Sequence, residues 1–220
     1  MTFLARVARR VRNHTSGILI GDEWVQRFLW FERLLDEIED VEGDVAECGV
    51  ASGGSLAMLA SLLRARRSER HLYGFDTWEG LPEPQREDVS AASAAVGGLF
   101  RDASLGSVRR TFRAHGFADG EIDHRVTLTR GRFDETLPGF AGLLALVHVD
   151  ADLYGSYRDA LDGLWPRLNA GGIVALDEYG TELWPGAQRA VDEFLARLPG
   201  GAAELRADRR IGKWFLRKSD

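Results

Sequence analysis

Two apolar, β-branched segments of the sequence, residues 146–149 and 173–176, each end abruptly in carboxylates. The acids are Asp150 and Asp152 after the first segment, and Asp177 and Glu178 after the second. Such segments are typical of buried parallel strands, whose carboxyl ends meet at the edge where open α/β sheets bind ligands. If the two strands are neighbours, roughly 4.8 Å apart, their terminal carboxylates can ligate one hard cation. The pattern therefore predicts a divalent metal site.

The two acids of the first segment have different predicted roles. Asp150 and Asp152 alternate along an extended strand, so we expect them to face the same side. This suits one ligand beside one base, because a divalent ion lowers the pKa of a hydroxyl while a nearby carboxylate takes its proton. His148 is expected to point to the other side of the strand, as a hydrogen-bonded sheet histidine. The alternative is that the four acids cap helices and form salt bridges.

A glycine-rich stretch, residues 47–55, reads Glu-Cys-Gly-Val-Ala-Ser-Gly-Gly-Ser and joins the first predicted strand to the first crossover helix. Glycines at such a turn let a ligand approach the backbone, and the helix N-terminus offers free N–H groups. The spacing is neither the Gly-x-Gly-x-x-Gly dinucleotide fingerprint nor a phosphate loop. Asp76, at the end of the next strand, is placed to accept hydrogen bonds from ribose hydroxyls. These features predict a nucleotide-like cofactor; the alternatives are a tight turn without a ligand and an Asp that caps a loop.

The segments that position these residues alternate between strand-like and helix-like patterns from residue 43 onward. Predicted strands lie at 45–48, 71–75, 126–129, 143–149, 173–176, 203–206 and 214–216. Predicted helices lie at 22–39, 55–66, 105–115, 133–137, 156–168 and 186–198, with Asp22 as the N-cap of the first. This order predicts an α/β fold with a doubly wound, mostly parallel, seven-stranded sheet in one domain at 43–220, after an N-terminal helical segment at 1–42.

Composition narrows the classes of partner. The 220-residue chain has 28 basic and 34 acidic residues, for a net charge of −6, which gives no general attraction to nucleic acid or membrane, so a small-molecule substrate is expected. Cys48 is the only cysteine, and the chain shows neither a secretory signal nor a membrane-spanning run, which favours a cytoplasmic location. The apolar face of residues 2–12 can pack on the protein, on the mouth of the active site, or on a second subunit in a homo-oligomer.

The least regular stretch, residues 78–102, contains Pro82, Pro84 and a run rich in Ser, Ala and Gly. Loops of this length are typically lids, binding loops or disordered segments, so we expect mobility here. Four aromatic residues flank the predicted carboxyl edge and are candidates for an acceptor pocket. They are Trp78, Tyr154, Tyr179 and Trp184.

Four blocks in a fixed order, spread over residues 40–200, resemble the macrocin O-methyltransferase (TylF/MycF/NovP) family. The blocks are 47–55, Gly-Phe-Asp-Thr-Trp-Glu-Gly-Leu-Pro at 74–82, Val-Asp-Ala-Asp-Leu-Tyr at 149–154, and 166–179 with 190–194. The resemblance implies a class I, Rossmann-like methyltransferase fold. It also implies S-adenosylmethionine as methyl donor, a divalent metal, usually magnesium, and a sugar hydroxyl on an antibiotic or its precursor as acceptor.

The resemblance also implies roles for particular residues. It assigns the methionine end of the cofactor to Glu47, Gly49 and Ser55, and the ribose to Asp76. It assigns the metal to Asp150, Asp177 and Glu178, and proton abstraction to Asp152. Glu178 is a departure, because antibiotic-sugar members usually carry a second Asp there. The chain also has little before the helix at 22–39 to build a macrolide pocket, which leaves a different substrate open.

Two other functions remain compatible with the sequence. One is a methyltransferase that needs no metal, or acts on nitrogen, in which Asp150 and Asp177 only order loops. The other is a catalytically silent binding subunit, similar to the methyltransferase-like proteins that assist cephalosporin hydroxylation, and such a binder needs no base at Asp152. Metal-assisted O-methyl transfer is favoured because an aliphatic hydroxyl is a poor nucleophile unaided.

Overall fold

Seven strands form one sheet in the computed structural model, which describes residues 21–219. They are β1 (Asp44–Cys48), β2 (Leu72–Asp76), β3 (Val126–Arg130), β4 (Leu144–Val149), β5 (Leu168–Leu176), β6 (Ala203–Asp208) and β7 (Lys213–Lys218). Their order is β3-β2-β1-β4-β5-β7-β6, and neighbours are parallel except at β7, which runs antiparallel to β5 and β6. The predicted doubly wound, mostly parallel sheet is confirmed.

Strand β5 is longer than predicted. It begins at Leu168 rather than Ile173, because Gly171 does not end the strand but supplies a bulge inside it. The φ of Gly171 is +75°, and the register against β4 shifts between Leu144 and Leu146. An extra residue accommodated by a glycine in the left-handed region is the usual geometry of such a bulge. A Gly-Gly pair is therefore compatible with strand at this position.

Helices connect the strands and cover both faces of the sheet. They are α1 (Asp22–Glu37), α2 (Gly54–Ala65), α3 (Leu105–Ala114), α4 (Asp119–Arg125), α5 (Phe133–Thr136), α6 (Tyr154–Leu164) and α7 (Pro185–Arg197). All but α4 lie where the sequence predicts a helix; α4 is short and polar and buries only Ile122, so it has no apolar period. The predicted cap at Asp22 is wrong, since Gly21 is the cap residue. The predicted helical face at 2–12 lies outside the described residues.

Two apolar clusters hold the helices to the sheet. Trp30 of α1 belongs to the cluster on one face, and Leu161 of α6 and Val191 of α7 belong to the other. Within β4, Leu146 faces the first cluster and Val147 the second, as the period of two requires. Burying a side chain of this size contributes about 1.5 to 3 kcal/mol. Among the described helices, none has the length and apolar character needed to span a bilayer.

The loop at 78–102 is tied to the carboxyl edge of the sheet by Asp88. This side chain is buried, and Oδ1 accepts a hydrogen bond of 2.7 Å from the backbone N–H of Tyr154, the first residue of α6. Oδ2 accepts a second bond, of 2.8 Å, from the backbone N–H of Gln85. The loop is therefore anchored at its middle, and its mobility stays a prediction.

Candidate active site

The carboxyl ends of β4 and β5 bring the predicted acids together. The two strands are neighbours, with Val149 paired to Leu176, so the residues that follow them lie side by side. Carboxylate oxygens of Asp150, Asp177 and Glu178 lie within 4.8 Å of one another. Three acids at this separation can share one hard cation. The structure thus places the predicted ligand set at one point, while metal binding itself stays a prediction.

A side chain from α1 lies among these acids. The guanidinium of Arg27 donates through Nη1 to Asp150 Oδ2 at 2.6 Å and through Nη2 to Asp177 Oδ2 at 2.8 Å. Nη1 also donates to the hydroxyl of Ser55 at 2.6 Å. Burial lowers the pKa of Arg27, but the two carboxylates outweigh it and raise that pKa above its ordinary value. A permanent positive charge therefore lies where the sequence predicts a metal.

Asp177 lies between three cationic or protonatable groups. Lys213 Nζ is 2.9 Å from Oδ1, and His148 Nε2 is 3.5 Å from the same oxygen. Burial raises the pKa of Asp177, but His148, Arg27 and Lys213 together hold it well below its ordinary value. Asp177 is consequently an anion throughout the neutral pH range, which suits a metal ligand.

His148 lies beneath the cluster, and its predicted direction is wrong. One of its ring nitrogens lies within 4.8 Å of an Asp150 carboxylate oxygen, because residues two apart on a strand share a face. Its Nδ1 is 2.8 Å from Glu47 Oε1. Burial lowers the pKa of His148, but contacts with Asp177 and Glu47 raise it to about 9. Burial raises the pKa of Glu47 to about 7.

Two of the four acids, Asp152 and Glu178, have pKa values above the ordinary value of a carboxyl group. Burial raises the pKa of Asp152 to about 8, with the neighbouring carboxylates adding to the effect. The same causes raise the pKa of Glu178 well above its ordinary value. The Tyr157 hydroxyl lies 2.6 Å from Glu178 Oε2 and 2.9 Å from the Val149 carbonyl, and its single proton serves only one of them. A protonated Glu178 satisfies all three groups by donating to Tyr157, which then donates to Val149.

Asp152 reaches the site by a backbone path that differs from the predicted one. Strand β4 ends at Val149, so Asp150 and Asp152 do not alternate along an extended strand. The φ of Asp152 is +61°, in the left-handed region that Asp adopts more readily than most residues. Holding a residue other than glycine there costs about 1 to 3 kcal/mol. Both side chains nevertheless line one cavity.

This cavity has a volume of about 1120 Å³ and joins the acids to the glycine-rich turn. Five predicted site residues line it: Gly49, Ser55, Asp76, Asp150 and Asp152. The other three are buried behind its lining: Glu47, Asp177 and Glu178. Arg27 also lines the cavity, and it separates Asp177 from the open space. The loop at 78–102 contributes much of the outer wall.

The glycines of the turn are required by packing within the chain. Gly49 has a φ of +91°, and a Cβ there would lie 1.7 Å from the carbonyl oxygen of Asp150. A Cβ at Gly54 would lie 2.7 Å from Cη2 of Trp24. The expectation that these glycines make room for a ligand is therefore incomplete, because the closest approach at both positions is by another part of the chain.

Asp76 both lines the cavity and caps its own loop. Oδ2 accepts a hydrogen bond from the Ala51 N–H at 2.7 Å, and Oδ1 accepts one from the Trp78 N–H at 2.7 Å. The loop-capping alternative is thus realised. Each carboxylate oxygen retains a second lone pair, so a hydrogen bond to a ribose hydroxyl remains compatible with this geometry.

The four aromatic residues predicted for an acceptor pocket lie outside the lining of this cavity. The hydroxyls of Tyr154 and Tyr179 donate to acids of α7 at 2.6 and 2.8 Å. The Trp78 indole donates to the backbone of the glycine-rich turn at 2.9 Å. The aromatic residues that do line the cavity are Trp24, Phe100 and Phe133.

Comparison with known proteins identifies the family. The sequence profile of the macrocin-O-methyltransferase (TylF) family matches residues 15–199. The chain belongs to this family. The resemblance expected from the four sequence blocks is therefore confirmed.

Curated relatives are named as O-methyltransferases. The 8-demethyl-8-(2,3-dimethoxy-alpha-L-rhamnosyl)-tetracenomycin-C 4'-O-methyltransferase of Streptomyces olivaceus is 37% identical over 154 residues, which cover 66% of this chain and 56% of the relative. The demethyldecarbamoylnovobiocin O-methyltransferase of Streptomyces niveus is 33% identical over 164 residues, covering 72% and 60%. The matched region is thus less than two thirds of the length of either relative.

Solved structures share the fold along most of the chain. The calicheamicin methyltransferase CalS11 has a TM-score of 0.80 at 26% identity and covers 99% of this chain and 93% of its own. The O-methyltransferase NovP has a TM-score of 0.73 at 30% identity and covers 89% and 81%. The predicted class I methyltransferase fold is confirmed.

Two residues at the site of this macrocin O-methyltransferase family member, Arg27 and Lys213, were not among the predicted site residues. Arg27 stands at positions i−3 and i−4 from the buried Trp30 and Phe31, so it completes the core-facing stripe of α1. A charged residue on such a stripe was the available signal. Lys213 precedes Trp214, which pairs with Leu176 across an antiparallel edge that the alternating pattern did not specify.

The donor set of this family member fits a divalent cation. Asp150, Asp177 and Glu178 supply oxygen atoms only, which suits magnesium, calcium or manganese rather than zinc. The guanidinium of Arg27 already acts as a stand-in cation on two of the three acids. Without that group Asp150 loses its ion pair with Arg27, whereas Asp177 keeps Lys213 and His148.

Proposed function

We propose that the protein is an S-adenosylmethionine-dependent, divalent-metal-dependent O-methyltransferase that acts on a hydroxyl of a sugar or other natural product. The observation that carries this proposal is the position of the acid cluster at Asp150, Asp177 and Glu178. It adjoins the cavity that also contains Ser55 and Asp76. The proposed cofactor site and the proposed metal site therefore adjoin the same cavity, so that a methyl donor and an acceptor can lie next to each other, as group transfer requires.

The cofactor is proposed to lie along the β1 and β2 ends of the cavity. Gly49 and Ser55 would flank its methionine end, beside the N-terminus of α2, where free backbone N–H groups favour a carboxylate. Asp76 would accept hydrogen bonds from the ribose. Glu47 lies behind the lining and bonds to His148, which supports an indirect role in place of contact with the cofactor.

The metal is proposed to be held by Asp150, Asp177 and Glu178. When bound, such an ion supplies Lewis acidity and a template for adjacent acceptor oxygens. Lys213 and His148 fix the orientation of Asp177, and Tyr157 fixes that of Glu178. Hydrogen bonds from outer groups of this kind orient ligands and tune their basicity. The Glu at 178 in place of Asp is compatible with ligation, because its carboxylate lies with the other two.

Asp152 is proposed to be the general base. The acceptor oxygen forms a bond to the donor methyl carbon while the C–S bond breaks, its electron pair stays on sulfur, and the acceptor proton passes to Asp152. Burial gives this carboxyl a pKa of about 8, so once ionised it is a stronger base than an exposed aspartate. Its position on the cavity wall leaves it open to an acceptor.

The acceptor class is proposed from the names of similar proteins, two of which contain a rhamnosyl or rhamnose group. A cavity of about 1120 Å³ exceeds the volume of a typical single ligand site, so it has room for cofactor and acceptor together. We further propose a cytoplasmic enzyme with no nucleic-acid or membrane partner. A homo-oligomer formed through the N-terminal helices also stays a proposal.

One experiment separates the proposal from its alternatives. The protein is incubated with S-adenosylmethionine and a panel of glycosylated and polyhydroxylated acceptors, with magnesium or with excess chelator. We expect methyl groups on acceptor oxygen, no transfer under chelation, and recovery when magnesium is restored. Transfer that survives chelation would indicate a metal-independent enzyme, and methylated nitrogen would indicate the N-directed alternative. S-adenosylhomocysteine binding in calorimetry, with no transfer to any acceptor, would favour a silent binding subunit.

A further inference from the structure

Arg27 contacts residues of two proposed binding sites, one for the metal and one for the cofactor. Its Nη1 and Nη2 bond to Asp150 and Asp177, two of the proposed metal ligands, at 2.6 and 2.8 Å. The same Nη1 bonds to Ser55 at 2.6 Å, at the start of α2, where the methionine end of the cofactor is proposed to lie. One guanidinium therefore touches both proposed binding sites.

The contacts to the acids are incompatible with a bound metal. A magnesium ion approaches its oxygen ligands to about 2.1 Å. Asp177 already carries Lys213 on Oδ1 and Arg27 on Oδ2, so an ion on this acid competes with Arg27. A guanidinium held that close to a divalent ion is also repelled by it. Metal binding therefore competes with the contacts of Arg27 to these acids.

The displaced guanidinium has a partner available beside Ser55. The cofactor ends in an α-carboxylate, and Arg binds carboxylates through two parallel hydrogen bonds. Three other arginines line the described part of the cavity: Arg101, Arg132 and Arg158. They bond instead to the Gly98 carbonyl, to Asp134 and to Asp159.

Helix α1 holds Arg27 between the acids and the start of α2. The Trp24 ring packs on Gly54 at the start of α2, and the Arg27 guanidinium lies 5.9 Å from the centre of that ring. Farther along the helix, buried Trp30 and Phe31 fix α1 to the sheet. Because Nη1 already bonds to Ser55, release from the acids leaves the guanidinium beside the proposed position of the cofactor carboxylate.

We propose that Arg27 couples the two ligands: it occupies the metal position in the metal-free protein, and metal binding releases it to bind the carboxylate of the cofactor. This inference rests on the proposed function. By thermodynamic reciprocity, the metal then tightens cofactor binding by the same factor as the cofactor tightens metal binding. The cofactor product S-adenosylhomocysteine carries no sulfonium charge, so it reports this coupling without direct repulsion from the ion.

The test measures binding with the full chain and needs no acceptor. Calorimetry gives the Kd of magnesium alone, and the Kd of S-adenosylhomocysteine with and without saturating magnesium, for wild type and Arg27→Gln. A third ligand, 5′-methylthioadenosine, has the same nucleoside but no carboxylate. Arg33→Gln is the matched control, because Arg33 lies on the same helix and pairs with Asp208 outside the cavity. Lys213→Gln controls for charge, since it removes a cation from Asp177 without touching Ser55.

In wild type we expect magnesium to tighten S-adenosylhomocysteine binding about tenfold and to leave 5′-methylthioadenosine unaffected. In Arg27→Gln we expect magnesium alone to bind about tenfold tighter and the coupling to disappear. Arg33→Gln and Lys213→Gln should both retain the coupling. Thermal unfolding of each variant with and without ligand checks that the fold is intact.

Each other outcome overturns the proposal in a recognisable way. An unchanged magnesium Kd in Arg27→Gln would show that Arg27 does not compete with the ion. Coupling that persists in that variant, or appears with 5′-methylthioadenosine, would show that Arg27 is not the carboxylate partner. If neither wild type nor Arg27→Gln binds magnesium, the proposed metal dependence itself fails, and a protein that binds no S-adenosylhomocysteine has lost the proposed cofactor.

Discussion

The two halves of the carboxyl edge satisfy their charges in different ways. At the ends of β1 and β2, Asp76 is satisfied within its own neighbourhood by backbone N–H groups of Ala51 and Trp78. At the ends of β4 and β5, Asp150 and Asp177 both pair with Arg27, which lies 123 and 150 residues away from them in sequence. The carboxylates at the ends of β4 and β5 need a cation from a distant helix. We therefore expect acceptor activation to take place at these two strand ends.

This contrast predicts that variants at the β4 and β5 ends lose turnover, whereas variants at the β1 and β2 ends lose affinity. The largest effect is expected for Asp177→Ala, because it removes a proposed metal ligand that Lys213 and Arg27 hold as an anion. Losing the metal contribution of several kcal/mol should lower turnover about a thousandfold. Asp208→Ala, which removes an exterior partner of Arg33, is the control. Equal turnover of the two variants would contradict the assignment.

Asp152→Asn should give the next largest loss. The amide keeps the size of the side chain but cannot take a proton, so turnover should fall about a hundredfold or more. Magnesium and S-adenosylhomocysteine Kd values should stay close to wild type in calorimetry. In wild type, activity should also fall at low pH as Asp152 becomes protonated. Loss of metal lowers activity in the same pH range, so the pH profile must be measured at raised magnesium. Near wild-type turnover in Asp152→Asn would show that Asp152 is not the general base and only stabilises its loop.

Asp76→Ala should weaken cofactor binding more than it lowers turnover at saturation. The loss of hydrogen bonds to a charged group should cost about 1 to 3 kcal/mol of binding free energy. Because Asp76 also caps Ala51 and Trp78, a fall in the thermal midpoint is expected as well. Calorimetry below the unfolding temperature separates the two effects. An unchanged Kd for S-adenosylhomocysteine would remove Asp76 from the cofactor site.

Glu47→Gln should have the smallest effect on cofactor affinity. The amide can still bond to His148, and the side chain lies behind the cavity lining, so the S-adenosylhomocysteine Kd should change by less than about threefold. A loss of tenfold or more would show that Glu47 contacts the cofactor, as the family resemblance alone implies. Glu121→Gln, on the exposed helix α4, provides a control for loss of a carboxylate.

Much of the fold was predictable because the sequence pattern that specifies each helix or strand lies within that element. Apolar runs and glycine turns lie within single elements, so β1, β2 and β4 were located to within a residue or two. Helix α4 was missed because only Ile122 is buried and no period forms. Strand β5 begins five residues before the predicted strand, because the glycine pair at 171–172 bends the strand and does not end it.

The candidate site was predictable only in part, because some of its determinants are tertiary. The convergence of Asp150 and Asp177 followed from two strand ends, and the structure bears out that proximity. The position of Asp152 was right for the wrong reason, since it depends on a left-handed residue and not on strand alternation. Arg27 stands out in the sequence as a charged residue on the core-facing side of α1, but its partners, like those of Lys213, lie on elements whose adjacency the sequence does not specify.

The most direct test of a divalent cation site at the β4 and β5 ends is anomalous diffraction from crystals grown with manganese and S-adenosylhomocysteine. We expect one anomalous peak at metal–ligand distance from carboxylate oxygens of Asp150, Asp177 and Glu178, with the Arg27 guanidinium turned away from both aspartates. The absence of a peak at saturating manganese, with Arg27 still bridging Asp150 and Asp177, would contradict this expectation.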